Sequence, residues 1–272
     1  QKGVDVLIAT PGRLLDLMQQ RHVDLGSVEI LVLDEADRML DMGFIRDVEK
    51  ILVRLPKQRH SLLFSATMPE DVARLARGHL RDPVRVEVTP PAATTDKVEQ
   101  SVCFVDKSSK RDVLATLLQD PQFVRTLVFT RTKHGADRVA KHLVKAGIES
   151  MAIHGDKSQG QRERALQGFR DGRVPVLVAT DLAARGIDVP EVTHVVNFEL
   201  PNIPESYVHR IGRTARAGRG GIAISLCDAD EREYLRDIEK LIRKRVPVVA
   251  IDPKGGLAAA QGRDIGDRKS VV

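Results

Sequence analysis

The stretch Ile30-Leu31-Val32-Leu33-Asp34-Glu35-Ala36-Asp37 constrains this chain more than any other. Four apolar residues run without a break, and three acids then fall within four positions. An unbroken apolar run of this length suits a strand covered on both faces. The acids follow at its C-terminal end, where open α/β sheets bind their ligands. Two adjacent carboxylates there suit a divalent cation and a water. One can hold Mg²⁺ directly or through the ion's water shell, and the other can take a proton from an attacking water. The plain alternative is a solvated acidic turn.

The same run-and-turn pattern recurs along the chain. Val4–Thr10 reads as a strand stopped by Pro11-Gly12, with a helix after it carrying Leu14, Leu15, Leu17 and Met18. A helix is expected around Phe44–Leu55, ended by Pro56. A buried strand Ser61–Phe64 then runs into Ser65-Ala66-Thr67. Those hydroxyls either bridge to the acids of the neighbouring strand or cap a helix ahead of Pro69. A helix with Val72, Leu75, Ala76 and Leu80 on one face follows, then an alternating edge strand Val84–Val88.

Residues 89–97 hold two Pro, two Ala and three Thr and read as a linker. Beyond it strands are expected at 102–105, 126–130, 150–153, 174–179, 192–197 and 221–226. Helices between them include one stopped by Gly147 and one capped by Ser158. Regular alternation of strand and helix requires parallel pairing with right-handed crossovers. A last helix is expected from about Asp230 to Arg245, acids early and bases late. From 251 to 272 the composition predicts a disordered tail.

Length and composition bound the function. A chain of 272 residues is long enough for two cores. No stretch approaches the roughly 18 apolar residues of a membrane span, and Cys103 and Cys227 make no metal or redox spacing. These features fit a cytoplasmic protein with no membrane partner. The net charge of +5 favours a polyanionic partner. Two Tyr, seven Phe and no Trp leave few platforms for stacked bases, so contact with a nucleic acid would fall on phosphates and sugars.

A second dense feature is His209–Arg219, with arginines at 210, 213, 216 and 219. Continued as one helix, steps of three would keep all four on one side, a surface for several phosphate oxygens. A basic solvent face is the alternative. Gly212, Ala215 and Ala217 keep such a helix slim enough to pack closely.

Asp34-Glu35-Ala36-Asp37, with Thr10-Pro11-Gly12-Arg13 upstream and Ser65-Ala66-Thr67 and His209–Arg216 downstream, resembles the DEAD-box RNA helicases in motif and order. The resemblance covers about residues 1–250. Lys133-His134-Gly135-Ala136 and Ile153–Gly160 look closest to the bacterial RhlE-type branch.

The resemblance implies an α/β fold of two RecA-like parallel-sheet units. The first, residues 1–88, would be incomplete, the C-terminal half only. The second, residues 98–250, would be complete. It implies ATP and Mg²⁺ as cofactors and RNA as partner, bound largely without regard to sequence. Asp34 would meet the metal through water, Glu35 would be the base, and Arg213 and Arg216 the arginine fingers at the γ-phosphate. Asp37, Ser65, Thr67, His209 and Arg210 would couple the motifs across the interdomain cleft. Gly186 and Asp188 would meet the nucleotide. Thr10, Pro11, Gly12, Arg13, Phe129, Thr132, Gly155, Asp156, Gln159, Arg162 and Thr180 would face RNA. The usual family spelling has Gly at the position of Ala215, a mild change.

A Gly-rich loop ending GK[ST] occurs nowhere in the 272 residues. The family places that loop before Thr10–Arg13. The expectation is therefore a fragment without activity of its own, with an open edge and uncovered apolar surface on residues 1–88. Two alternatives stand beside the helicase: a non-catalytic RNA-binding module and a DNA helicase.

Overall fold

The computed structural model describes residues 3–87, 98–184, 192–215, 220–252 and 256–259. The chain divides into two compact units, Gln1–Val88 and Thr89–Val272. The linker residues 89–97 lie outside the described residues.

In the first unit the order is α1 (Pro11–Gln19), β1 (Ile30–Leu33), α2 (Ala36–Asp41), α3 (Ile45–Leu52), β2 (His60–Leu63) and α4 (Glu70–His79). Strands β1 and β2 pair in parallel, Ile30 opposite His60 through Leu33 opposite Leu63. Val48, Ile51 and Leu52 recur at helical spacing on α3 and form a core with Leu25, Leu55 and Leu75. Leu14, Leu15 and Met18 of α1 and Leu31 and Leu33 of β1 pack against it.

Three expectations fail here. β1 is covered on one face only, since Ile30 and Val32 are 61% and 53% exposed. Residues 4–10 form no strand, and Ile8 is 92% exposed. Residues 84–87 form none either, with Val84 at 88%. For the last two the reason is shared: an apolar segment becomes a strand only where a neighbour takes up the backbone N–H and C=O groups. Among the described residues none lies beside these segments. The uncovered apolar surface expected on this unit is present.

The second unit runs β3 (Val98–Phe104), α5 (Lys110–Leu117), β4 (Thr126–Thr130), α6 (Lys133–Lys145), β5 (Ser150–Ile153), α7 (Gln159–Arg170), β6 (Val176–Thr180) and α8 (Asp181–Ala184). It continues through β7 (His194–Asn197), α9 (Pro204–Ile211), β8 (Gly221–Cys227), a 3₁₀ turn (Ala229–Glu231), α10 (Arg232–Ile242), β9 (Val249–Ile251) and β10 (Leu257–Ala259). Six strands form one sheet in the order β3-β8-β7-β4-β6-β5, every pair parallel.

Successive residues of β6 face opposite cores. Val176 and Val178 join Leu114 and Leu117 of α5 and Val139 and Leu143 of α6. Leu177 and Ala179 join Phe169 of α7, Tyr207 and Ile211 of α9 and Ile238 of α10. This two-faced covering is what unbroken apolar strands require. Ser158 makes the expected cap, reciprocated by the Gln161 side chain.

The proposed long arginine helix is not formed. α9 ends at Ile211, and Ala215 has a φ of +55°. The chain must turn into β8, where Thr214 packs on Gly221 so closely that a Cβ there would stand 2.4 Å from Thr214 Oγ1. Arg210 and Arg213 therefore do not share a helix face, and residues 216–219 lie outside the described residues. The Ala215 methyl is also more than a mild change: it sits in the left-handed region that glycine adopts freely, at a cost of about 1 kcal/mol.

The last helix is shorter than expected, because Asp228 caps the 3₁₀ turn over 229–231 and Arg243 turns left-handed at φ +54°. Within the tail expected to be disordered, Leu257–Ala259 form β10, paired antiparallel with β9, Leu257 opposite Ile251; residues 253–255 and 260–272 lie outside the described residues. Val249 and Ile251 find a core to cover, which composition alone does not reveal.

Candidate functional site

In the first unit the register of β1 and β2 sets their C-terminal ends side by side. The Ala36 amide donates to the Phe64 carbonyl at 3.0 Å. Asp37 is 3% exposed. Its Oδ2 accepts the Thr67 amide at 2.9 Å and the Thr67 hydroxyl at 2.8 Å. Its own amide donates to Ser65 Oγ at 3.0 Å, and that hydroxyl donates to the Thr67 carbonyl at 2.6 Å. Of the two readings of Ser65 and Thr67, the bridge to the neighbouring acids is the one formed. The N-cap of α4 is Pro69, with no side-chain cap.

Asp34 and Glu35 stand exposed beside this clasp. Asp34 Oδ1 accepts the Glu35 amide at 2.9 Å. Glu35 holds φ 53° and ψ 47°, a left-handed conformation that a side chain adopts at a cost of about 1 kcal/mol. Its carboxylate is tethered by Arg38 Nη1 at 3.2 Å, from a side chain only 9% exposed. Arg38 carried no signal in the sequence beyond its place one helical turn from Glu35.

No group of three or more His, Cys, Asp or Glu that could hold a metal occurs among the described residues. Two adjacent exposed carboxylates, Asp34 and Glu35, can serve an ion that keeps most of its waters and leans on one or two carboxylates and a substrate phosphate, as Mg²⁺ does.

Thr10 is the extended N-cap of α1, with Pro11 at the first helical position and no side-chain cap bond. Thr10, Gly12 and Arg13 are exposed, and Arg13 pairs with Asp16 one turn on. The helix start thus presents a hydroxyl, backbone amides and a guanidinium to solvent.

In the second unit the C-terminal ends of β4, β6 and β7 meet at Arg210, which is 1% exposed. Arg210 Nε and Nη2 donate to the two carboxylate oxygens of Asp181 at 2.6 and 2.7 Å. Nη1 donates to Asn197 Oδ1 at 3.2 Å and the Glu199 carbonyl at 2.6 Å. The guanidinium lies 5.1 Å from the Phe129 ring centroid.

Arg210 spends these donors inside its own unit. One sequence reading is corrected here. Phe129, 1% exposed under that guanidinium, is core and cannot touch RNA.

The remaining expected RNA residues gather at the same end of the sheet. Thr132 follows β4 and caps α6, accepting the Gly135 amide at 3.0 Å. Thr180 ends β6, directly before Asp181. Gly155 and Asp156 follow β5, and Gln159 and Arg162 open α7.

Acid–base pairs hold the loop after β5. Lys133 Nζ lies 2.6 Å from Asp156 Oδ1, and its hydrogen bond holds the Asp156 carboxyl below its usual range. Asp137 is bracketed by Lys157 Nζ at 2.8 Å and His154 Nε2 at 3.1 Å. Burial pushes the Asp137 carboxyl up, and those two partners bring it below the usual value.

Arg213 lies at the other end of the sheet. It lines a cavity of 830 Å³ with Val98, His194 and Gly221 at the starts of β3, β7 and β8, and with Lys244 and Arg245. His209 is half-buried on α9. Gly186, Asp188 and Arg216 lie outside the described residues.

Residues 1–75 match the model of the DEAD/DEAH box helicases, and residues 109–218 match that of the helicase conserved C-terminal domain. The solved Escherichia coli DEAD-box protein SrmB, bound to regulator of ribonuclease activity A, is 38% identical; the match covers 62% of this chain and 98% of that one, with a TM-score of 0.57. The chain belongs to the DEAD-box helicase family.

Other DEAD-box proteins extend the match. The ATP-dependent RNA helicase CshA of Listeria monocytogenes is 44% identical over 246 residues, 90% of this chain and 47% of CshA. Saccharomyces cerevisiae Dbp5 bound to RNA and ADP BeF3 is 36% identical over 88% of this chain and 64% of that one, with a TM-score of 0.79. This DEAD-box chain therefore spans about half the length of the curated relative it matches. No helix among its described residues is long and apolar enough to cross a membrane.

The clasp predicts its own energetics. Asp37→Asn keeps the shape but weakens two charge-assisted bonds, each worth roughly 1.5–3 kcal/mol. It should destabilise the first unit by about 2 kcal/mol in urea unfolding, and Thr67→Val should add little on top. Full additivity of the two losses would contradict a shared clasp.

Proposed function

We propose that the protein is an ATP-dependent RNA helicase in which unit 2 holds the RNA backbone and the acidic turn of unit 1 serves nucleotide hydrolysis. The observation that carries this reading is the Asp37 clasp. It fixes Asp34 and Glu35 at the end of β1, in a chain whose family couples ATP to RNA.

Asp34 would hold Mg²⁺ through its water shell. Glu35, aimed by its left-handed backbone and by Arg38, would accept the proton of the attacking water. Arg213 and Arg216 would stabilise charge on the transferred phosphate. Bound Mg²⁺ would supply neutralisation of phosphate charge.

RNA would lie along the ends of β4, β6 and β5, against Thr132, Thr180, Gly155, Asp156, Gln159 and Arg162. Thr10–Arg13 would contribute from unit 1. Backbone contact is favoured because, of the nine aromatic rings, Phe64 alone is exposed. A sheet end without aromatic platforms has little with which to read bases. For these 272 residues alone, RNA binding without turnover is the second reading, since the sequence contains no GK[ST] loop.

Two measurements test the proposal. The chain should bind unrelated single-stranded RNAs of equal length with similar affinity, falling steeply as salt rises. Strong preference for one sequence, or a flat salt response, would contradict backbone contact. In any form of the protein that turns over ATP, Glu35→Gln should keep ATP and RNA binding and lose about 10²–10⁴-fold in turnover. Near-normal ATPase would remove Glu35 from the role of base.

A further inference from the structure

Glu199 holds two loops at once, and no motif in the sequence includes it. It follows β7 and is half-buried. Its carbonyl oxygen accepts Arg210 Nη1 at 2.6 Å, and Arg210 grips Asp181, the residue after Thr180. Its side chain serves the other loop: Oε2 accepts the Arg131 amide at 2.7 Å.

That amide belongs to the loop after β4, which carries Thr132. The loop is tightly seated. A Cβ on Gly135 would stand 2.8 Å from Thr132 Oγ1 and 3.8 Å from Glu199 Oε2. The Arg131 side chain goes elsewhere, to Glu231 Oε1 at 3.3 Å and over the Tyr234 ring at 5.5 Å. Between its amide and its side chain, Arg131 is fixed on two sides.

A carboxylate on a surface that takes phosphates opposes binding through its charge. By charge alone, removing Glu199 would tighten RNA binding. The hydrogen bonds point the other way, since without an acceptor the Arg131 amide loses its tether and the Thr132 loop its setting.

We propose that Glu199 is a positioning residue for RNA binding. It fixes the spacing between the Thr132 and Thr180 loops, its carboxylate holding one and its carbonyl, through Arg210, the other. It does not itself touch RNA. This rests on the reading of this sheet end as the RNA face.

The test uses the 272-residue chain as wild type, Glu199→Ala and Glu199→Gln. Two quantities are read: affinity for an oligouridine RNA, and amide hydrogen exchange across residues 131–135. Gln keeps the acceptor and removes the charge. Ala should weaken binding roughly tenfold and speed exchange at Arg131 by a similar factor. Gln should bind as well as wild type or more tightly, with exchange unchanged.

The proposal is overturned if Ala binds as tightly as wild type or tighter, or if Gln loses as much as Ala. Should Ala fail to fold, the Gln variant decides: weaker binding than wild type overturns the proposal, and retained or tighter binding supports it. If the wild-type chain binds no RNA, the reading of this face falls by itself. Exchange then judges the tether, and unchanged exchange in Ala overturns it.

Discussion

The second unit depends on one buried guanidinium. Arg210 is placed by α9 beneath the sheet's C-terminal end, where it reaches Asp181 after β6, Asn197 at the end of β7 and the Glu199 carbonyl beyond it. A buried cation costs several kcal/mol unless its donors are met, and here the planar fork meets a carboxylate, an amide oxygen and a carbonyl. The Phe129 ring of β4 closes the remaining side. Loops that leave the sheet at neighbouring strands are thereby held at fixed spacing. An extended polyanion requires that spacing if it is to be gripped by backbone contacts alone.

The first unit solves a similar problem with an anion. Asp37, 3% exposed, is satisfied by an amide and a hydroxyl from Thr67 and supports Ser65 through its own amide. The clasp joins the turns after β1 and β2 and leaves Asp34 and Glu35 outside it, facing solvent. Glu35 pays for that exposure with a left-handed backbone that the clasp and Arg38 keep in place. In the second unit the residues proposed for RNA and for phosphate fall at opposite ends of the sheet. Thr132, Thr180 and the loop after β5 stand at the C-terminal ends of the strands. Arg213 stands among the strand starts.

Much of this was legible in the sequence. The strands of the second unit are apolar on both faces because helices lie on both sides, so composition and position agreed. Ser65 and Thr67 stood at a strand end opposite acids, and they bridge to Asp37. The failures share a cause in tertiary context. Residues 4–10 carry the apolar run of a strand but have no ladder partner among the described residues. Arg210 was grouped with Arg213 by spacing, yet the helix ends at Ile211, before Arg213 is reached. Phe129 was placed on a surface by its motif, while its ring is needed beneath Arg210. Glu199 was silent because a single acid accepting one backbone amide leaves no pattern. The β9–β10 pair was missed because three-residue strands beside a Gly- and Ala-containing segment look like tail until a core is found for Val249 and Ile251.

The central claim is that Arg210 and Asp181 act as one strut. A double-mutant cycle with Arg210→Lys and Asp181→Asn, read by urea unfolding of the second unit, measures this directly. Lys cannot reproduce the two-pronged contact, and Asn cannot carry the charge. The account predicts a coupling energy of about 2 kcal/mol, with the double variant far less destabilised than the sum of the singles. Losses that add to within about 0.5 kcal/mol would show that the guanidinium and the carboxylate act independently, and would contradict the account.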